Sequence, residues 1–192
     1  MSNITLTIAP LCLYNNGIIK TCDLTINECE SMADFHKMTA SSLGQIKQDI
    51  ENGHCMNVKP DELNTLYPVE EYIILDDDLP AFFAGHYHLS NGTFEYLKAL
   101  DSGYTKEALR AFLYCIESNP DYFTLERFEA HYLGEYEDIH DFTEQHLTAL
   151  HGNLEFNPLT QYLNLETVYD QHFQYDMPNH DNHFFTIRGN NH

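Results

Sequence analysis

The sequence predicts an α+β protein built from three small segments, and three observations carry that expectation. β-rich runs stand at Ile4–Leu13 and in "VEEYIILDDD" (69–78), the stretch between about 79 and 120 is helical in spacing, and "HFFTIRG" (183–189) closes a helix-rich final stretch as a strand. The expected segments are therefore 1–78 (α+β), 79–120 (helical) and 121–192 (α+β).

Each element has a local reason. "YNNG" (14–17) reads as a turn after the first strand, before Ile18 and Ile19. From residue 30 to 53, Met32, Phe35, Met38, Leu43 and Ile46 recur at helical spacing, and Asn52-Gly53 ends the run. "TFEYLKAL" (93–100) predicts one helix and "TKEALRAFLYCIESNP" (105–120) another, with Thr105 as N-cap, Glu107 in the first turn and Asn119-Pro120 as the stop. "TLERFEAHYL" (124–133) predicts a further helix, followed by Gly134 and then an acidic helix from about residue 137. On that last helix Glu137, Asp141 and Glu144 fall within about 60° of one another, while Ile139, Phe142, Leu147, Ala149 and Leu150 take the other side, with His146 as a core histidine. "LNLETVYDQHF" (163–173) predicts the final helix. No internal repeat or low-complexity linker is visible.

Charge is the outstanding compositional feature. Across 192 residues, 30 Asp and Glu face 9 Lys and Arg, a formal net charge of −21. A small domain needs a magnitude of only about 2–8 for solubility, and the excess is disfavoured by self-repulsion, so some benefit must offset it. The charge is not a tail: fourteen acids and one base, Arg127, lie between Ala111 and Ile187. The aromatics, 13 Tyr and 12 Phe, are too many for a disordered chain. Direct binding of nucleic acid or of an anionic membrane is excluded, since both need a basic footprint. No signal segment and no run approaching 18 apolar residues is expected, and five cysteines without CxxC spacing read as reduced thiols of a cytoplasmic protein.

Motifs for catalysis are weak. "HYH" (86–88) and "NHDNH" (179–183) are the places where histidines concentrate, but neither matches a spaced ligand pattern such as HExxH, and both read as surface or partly satisfied histidines. The run Asp76, Asp77, Asp78 follows a strand, yet it lacks EF-hand spacing, and among thirty acids some pairs lie close by chance. No GxSxG or P-loop appears. A metal-dependent hydrolase using His86, His88 or Asp76–Asp78 is the alternative reading, and an acidic chaperone for a basic partner is a third. The charge itself points elsewhere: DNA carries one charge per about 1.7 Å of duplex axis, so a net −21 equals about 36 Å, near ten base pairs.

The order of motifs resembles the ArdA antirestriction family along the whole chain. "YNNG" (14–17) is similar to its early Tyr-Asn-x-Gly turn, "EEYIILDDD" (70–78) to its Glu-Glu-Tyr strand ending in acids, and "FEAHYLGEYEDIHDFTEQHL" (128–147) to its Gly-Glu-Tyr…Asp-Phe segment. "YLNLETVYDQHF" with "HFFTIRG" resembles its final helix and closing strand. The chain departs from the family in lacking the common N-terminal Trp, where "KTCDL" (20–24) stands. The resemblance implies an elongated, curved, three-domain homodimer that mimics bent B-form DNA and occupies the DNA groove of type I restriction–modification enzymes in a bacterial host cell, with no catalytic residue, metal or cofactor. The dimer contact is expected after about residue 120, where aromatics abound. The acidic surface expected to meet the partner comprises Asp76, Asp77, Asp78, Glu117, Asp121, Glu126, Glu129, Glu135, Glu137, Asp138, Asp141 and Glu144.

Overall fold

The first strand shows how pattern becomes structure. In β1 (Thr5–Pro10) Leu6 and Ile8 are fully buried, while Thr5 and Thr7 lie on the half-exposed face. Residues 4–54, 71–79, 89–152 and 162–188 are described by the computed structural model, and the chain divides into two compact units, Met1–Leu97 and Lys98–His192. The class is α+β, with one three-stranded antiparallel sheet in each unit.

In the first unit β1 is the central strand, antiparallel to β2 (Cys22–Thr25) and to β3 (Tyr72–Asp77). Thr7 and Asp23 pair across β1 and β2, and the Thr7 hydroxyl donates to the Asp23 carboxylate at 2.7 Å. The expected run Ile4–Leu13 is not one strand: Pro10 closes β1, and Leu11–Asn15 turns into a short helix, α1. Pro has no N–H to continue the ladder, which accounts for the break. The "YNNG" turn follows, with Gly17 at φ +74 and its N–H bonded to the Tyr14 carbonyl at 3.0 Å. A 3-10 turn (Ile26–Glu28) leads to α2 (Met32–Glu51), which starts at a Ser31 cap accepting from the Asp34 N–H; it ends at Asn52, the stop that the sequence predicts. It buries Phe35, Leu43 and Ile50; Phe35 meets Tyr72 edge-on at 5.8 Å and Phe94 of α3 (Asn91–Asp101) at 6.2 Å.

In the second unit α4 (Lys106–Cys115) is capped by Thr105, whose hydroxyl accepts from the Ala108 N–H at 3.1 Å. It stops at Cys115, ahead of the expected Asn119-Pro120, which instead forms a capped 3-10 turn over Pro120–Tyr122. Next comes α5 (Leu125–His131). The helix expected through Leu133 ends early, because Tyr132 to Glu135 leave it as strand β4 and pair with β6 (His183–Phe185). Local spacing suited either state, and the partner strand decided it. Helix α6 (Ile139–His151) starts two residues later than expected, since Asp138 is extended (φ −164) and caps it.

The chain finishes with α7 (Leu165–Val168), a π turn (Tyr169–Phe173) and a hairpin of β5 (Asn179–His180) with β6. Two aromatic groups fill the unit. Phe112, Phe123, Phe128 and Phe185 form one, and Phe142, Tyr169 and Phe184 the other, where Phe142 stacks on Phe184 at 4.0 Å. Ala149 and Leu150 are exposed, contrary to the helical-wheel expectation; the buried arc of α6 is narrower and centres on Phe142 and Thr143. His146 is half-buried, stacked on Phe142 at 5.6 Å and edge-on to Phe173 at 5.0 Å. No helix among the described residues is long and apolar enough to cross a membrane.

A candidate acidic interface

The acids around α6 divide into two kinds. Asp138 and Asp141 have local work. The Asp138 carboxylate accepts from the Asp141 N–H at 2.8 Å, and the Asp141 carboxylate accepts from the Glu137 N–H at 3.2 Å and from the Gln145 amide at 2.8 Å. Both sit at the positive end of the helix dipole, so their negative charge is stabilised there rather than merely tolerated. Glu135, Glu137 and Glu144 are exposed, and among the described residues none forms an ion pair.

The remaining expected residues of this unit fall into the same two groups. Asp121 and Glu126 are exposed, Asp121 in the 3-10 turn and Glu126 in the first turn of α5. Glu129 is exposed and accepts the Tyr104 hydroxyl at 3.3 Å. Burial, and then this carboxylate, push the Tyr104 phenol upward. Glu117 is different: only 12% of its side chain is exposed, it accepts the Asn119 N–H at 3.1 Å, and it is ion-paired to Arg127. It fastens the segment after α4 to α5 and is not a free surface charge.

In the first unit, Asp76 and Asp78 are exposed at the end of β3, and the backbone of Asp77 pairs with Leu6. Asp78 closes the sheet, exchanging bonds with Thr5: its N–H donates to the Thr5 carbonyl and its carboxylate accepts the Thr5 N–H, each at 3.1 Å. The side chain of Asp77, and His86 and His88 entirely, lie outside the described residues.

The arginines are engaged internally. The chain's three arginines each meet a carboxylate: Arg127 pairs with Glu117, Arg110 with Asp181, and Arg188 with Asp176 at 3.7 Å. Local spacing gives no sign of these pairs, because Glu117–Arg127 and Arg110–Asp181 are 10 and 71 positions apart.

The "NHDNH" histidines are separated by a hairpin turn. Asp181 and Asn182 have φ of +49 and +65, a pair of left-handed residues that Asp and Asn adopt more readily than other side chains. His180 is half-buried and stacked on the Tyr114 ring, 4.1 Å between centroids, whereas His183 is buried with its Nδ1 3.0 Å from the Tyr132 hydroxyl. Among the described residues no group of three or more His, Cys, Asp and Glu is placed to hold a metal ion. The described cysteines, Cys12, Cys22, Cys29 and Cys115, are free thiols, and burial pushes the Cys115 thiol up to about 11, away from nucleophilic use near neutrality.

Comparison with known proteins returned no family model, no curated protein and no solved structure that matches this chain.

Proposed function

We propose that this protein is an antirestriction protein of the ArdA type, a DNA mimic that inhibits type I restriction–modification enzymes by occupying the DNA-binding groove of the methyltransferase core. It acts in the cytoplasm of a bacterial host as an elongated, three-domain homodimer, without catalysis, metal or cofactor. Two observations support this reading. The first is the ordered set of motifs that resembles the family. The second, which carries the reading, is the charge arrangement: every arginine is ion-paired within the chain, while Asp121, Glu126, Glu135, Glu137 and Glu144 stand exposed without one among the described residues.

Such a surface suits a partner whose Lys and Arg ordinarily hold phosphates. Exchange of phosphate for carboxylate is an electrostatic substitution, screened over about 10 Å at 0.1 M salt. The test is titration of the protein into a purified type I methyltransferase complex carrying labelled DNA. Stoichiometric displacement that weakens as salt rises is expected; failure to displace DNA at any concentration overturns the proposal. An asparagine scan separates it from the enzyme reading. Exposed contacts are typically worth about 0.2–1 kcal/mol each, so single changes at Glu135, Glu137 or Glu144 weaken binding by a few-fold at most and combined changes accumulate. One carboxylate whose loss abolishes activity in a folded protein would instead mark an active site.

A further inference from the structure

β6 is the middle strand of its sheet, between β4 and β5. Its three side chains are all buried: Phe185 packs with Phe112 and Phe128, Phe184 with Phe142 and Tyr169, and His183 is 3% exposed. One strand thus seats both aromatic groups of the second unit, and an ionisable ring stands at its head. Burying a cation there costs far more than burying the neutral ring.

We propose that β6 is an acid-released clasp: His183 holds the strand in place as a neutral imidazole accepting the Tyr132 hydroxyl, and its protonation unseats the β5–β6 hairpin. In the neutral form with hydrogen on Nε2, Nδ1 accepts the phenol proton at 3.0 Å. Proton uptake at Nδ1 forces that bond to reverse. The phenol must then accept, and its own hydrogen loses this partner.

The groups facing His183 are few. Tyr132 and Glu135 come from β4, with Glu135 its register partner; His180 and Asp181 come from the hairpin; Glu107 comes from α4. Burial is the dominant influence and holds His183 below its usual 6.5, although Glu135, Glu107 and Asp181 favour the cation. The sign follows. An unfolded or detached His183 takes up its proton near 6.5, the seated one only at lower pH. The clasp therefore contributes fully above about pH 6.5 and is lost as pH falls from there toward the folded value. The Asp181–Arg110 pair is not the group lost in this window, because Arg110 holds the Asp181 carboxyl below its usual 3.8.

His146 is also held low by burial, on the α6 side of the unit, and must be separated experimentally. Hydrogen exchange at the Phe184 and Phe185 amides of the full chain, corrected for intrinsic rates, does so. Protection in the parent protein should fall by about fivefold or more between about pH 7.5 and pH 5.0. His183→Gln, which keeps an acceptor for Tyr132, should fall by less than about twofold, whereas His146→Gln should keep the parent's drop. Unchanged protection in the parent, or the same drop in His183→Gln, overturns the proposal. Should His183→Gln not fold, NMR titration of the parent's His183 ring replaces it: a midpoint below about 6.5 accompanied by loss of the β6 amide signals supports the clasp, and a midpoint at or above 6.5 overturns it.

Discussion

Asp138 illustrates how one carboxylate can serve two ends. Its extended backbone and its bond to the Asp141 N–H make it the N-cap of α6, while its charge adds to the exposed acidic surface. The two roles respond differently to substitution. Asp138→Asn retains an oxygen that can accept from the Asp141 N–H, so stability should change by only a few tenths of a kcal/mol; Asp138→Ala should cost about 0.5–2 kcal/mol. Urea denaturation of both variants checks this, and equal losses would show that the cap is not what stabilises the helix start. Binding of the proposed partner should not tell the two apart: both lose the charge, and both should weaken by the same few-fold. Glu117 gives the converse case: its change should cost stability, through the lost Asn119 N–H bond and the Arg127 pair, more than it costs binding.

At the scale of elements, the join between α5 and β4 decides the second unit's sheet. The chain leaves the helix at Tyr132, and the register with β6 shifts between Tyr132 and Gly134. Gly134 has φ +134, a region that side chains strongly disfavour, and a Cβ there would stand 3.4 Å from the Tyr136 ring. Gly134→Ala should therefore destabilise the protein by about 1–3 kcal/mol and lower the protection of β6 amides with it. An unchanged thermal midpoint would mean that the strand can follow another path. The hairpin turn needs no glycine, because Asn182 is held in its left-handed conformation by bonds to the next element: its amide donates to the Glu137 carbonyl at 2.8 Å, and its own carbonyl accepts the Tyr136 N–H at 3.1 Å.

For the whole molecule the governing quantity is the net charge of −21. Part of the folding free energy is spent against repulsion among like charges, and salt screens that repulsion: the Debye length falls from about 30 Å at 0.01 M to about 3 Å at 1 M. The thermal midpoint should rise by several degrees from low to high NaCl, since about 1 kcal/mol corresponds to about 2–4 °C for a chain of this size. Scanning calorimetry across a salt series checks it, and a falling midpoint would mean that the internal ion pairs outweigh the repulsion. Salt should at the same time weaken the proposed complex, so stability and inhibition should move in opposite directions.

Period and punctuation in the sequence are enough for the mixed α+β class and for most elements. The apolar spacing of α2, the Thr105 cap and the alternating run of β1 are short-range features, and short-range chemistry settles them. The acidity of the candidate interface is legible in the same way, because charge is a property of composition. What the fold alone decided is pairing. Tyr132 and Leu133 became strand because Phe185 and its neighbours were there to receive them, and Arg127 and Arg110 were drawn to Glu117 and Asp181 across gaps of 10 and 71 residues. The two histidines of one hairpin ended in different environments for the same reason. A single sequence records which groups are present; which of them meet, and which carboxylates stay unpaired, depends on contacts between residues far apart in the chain.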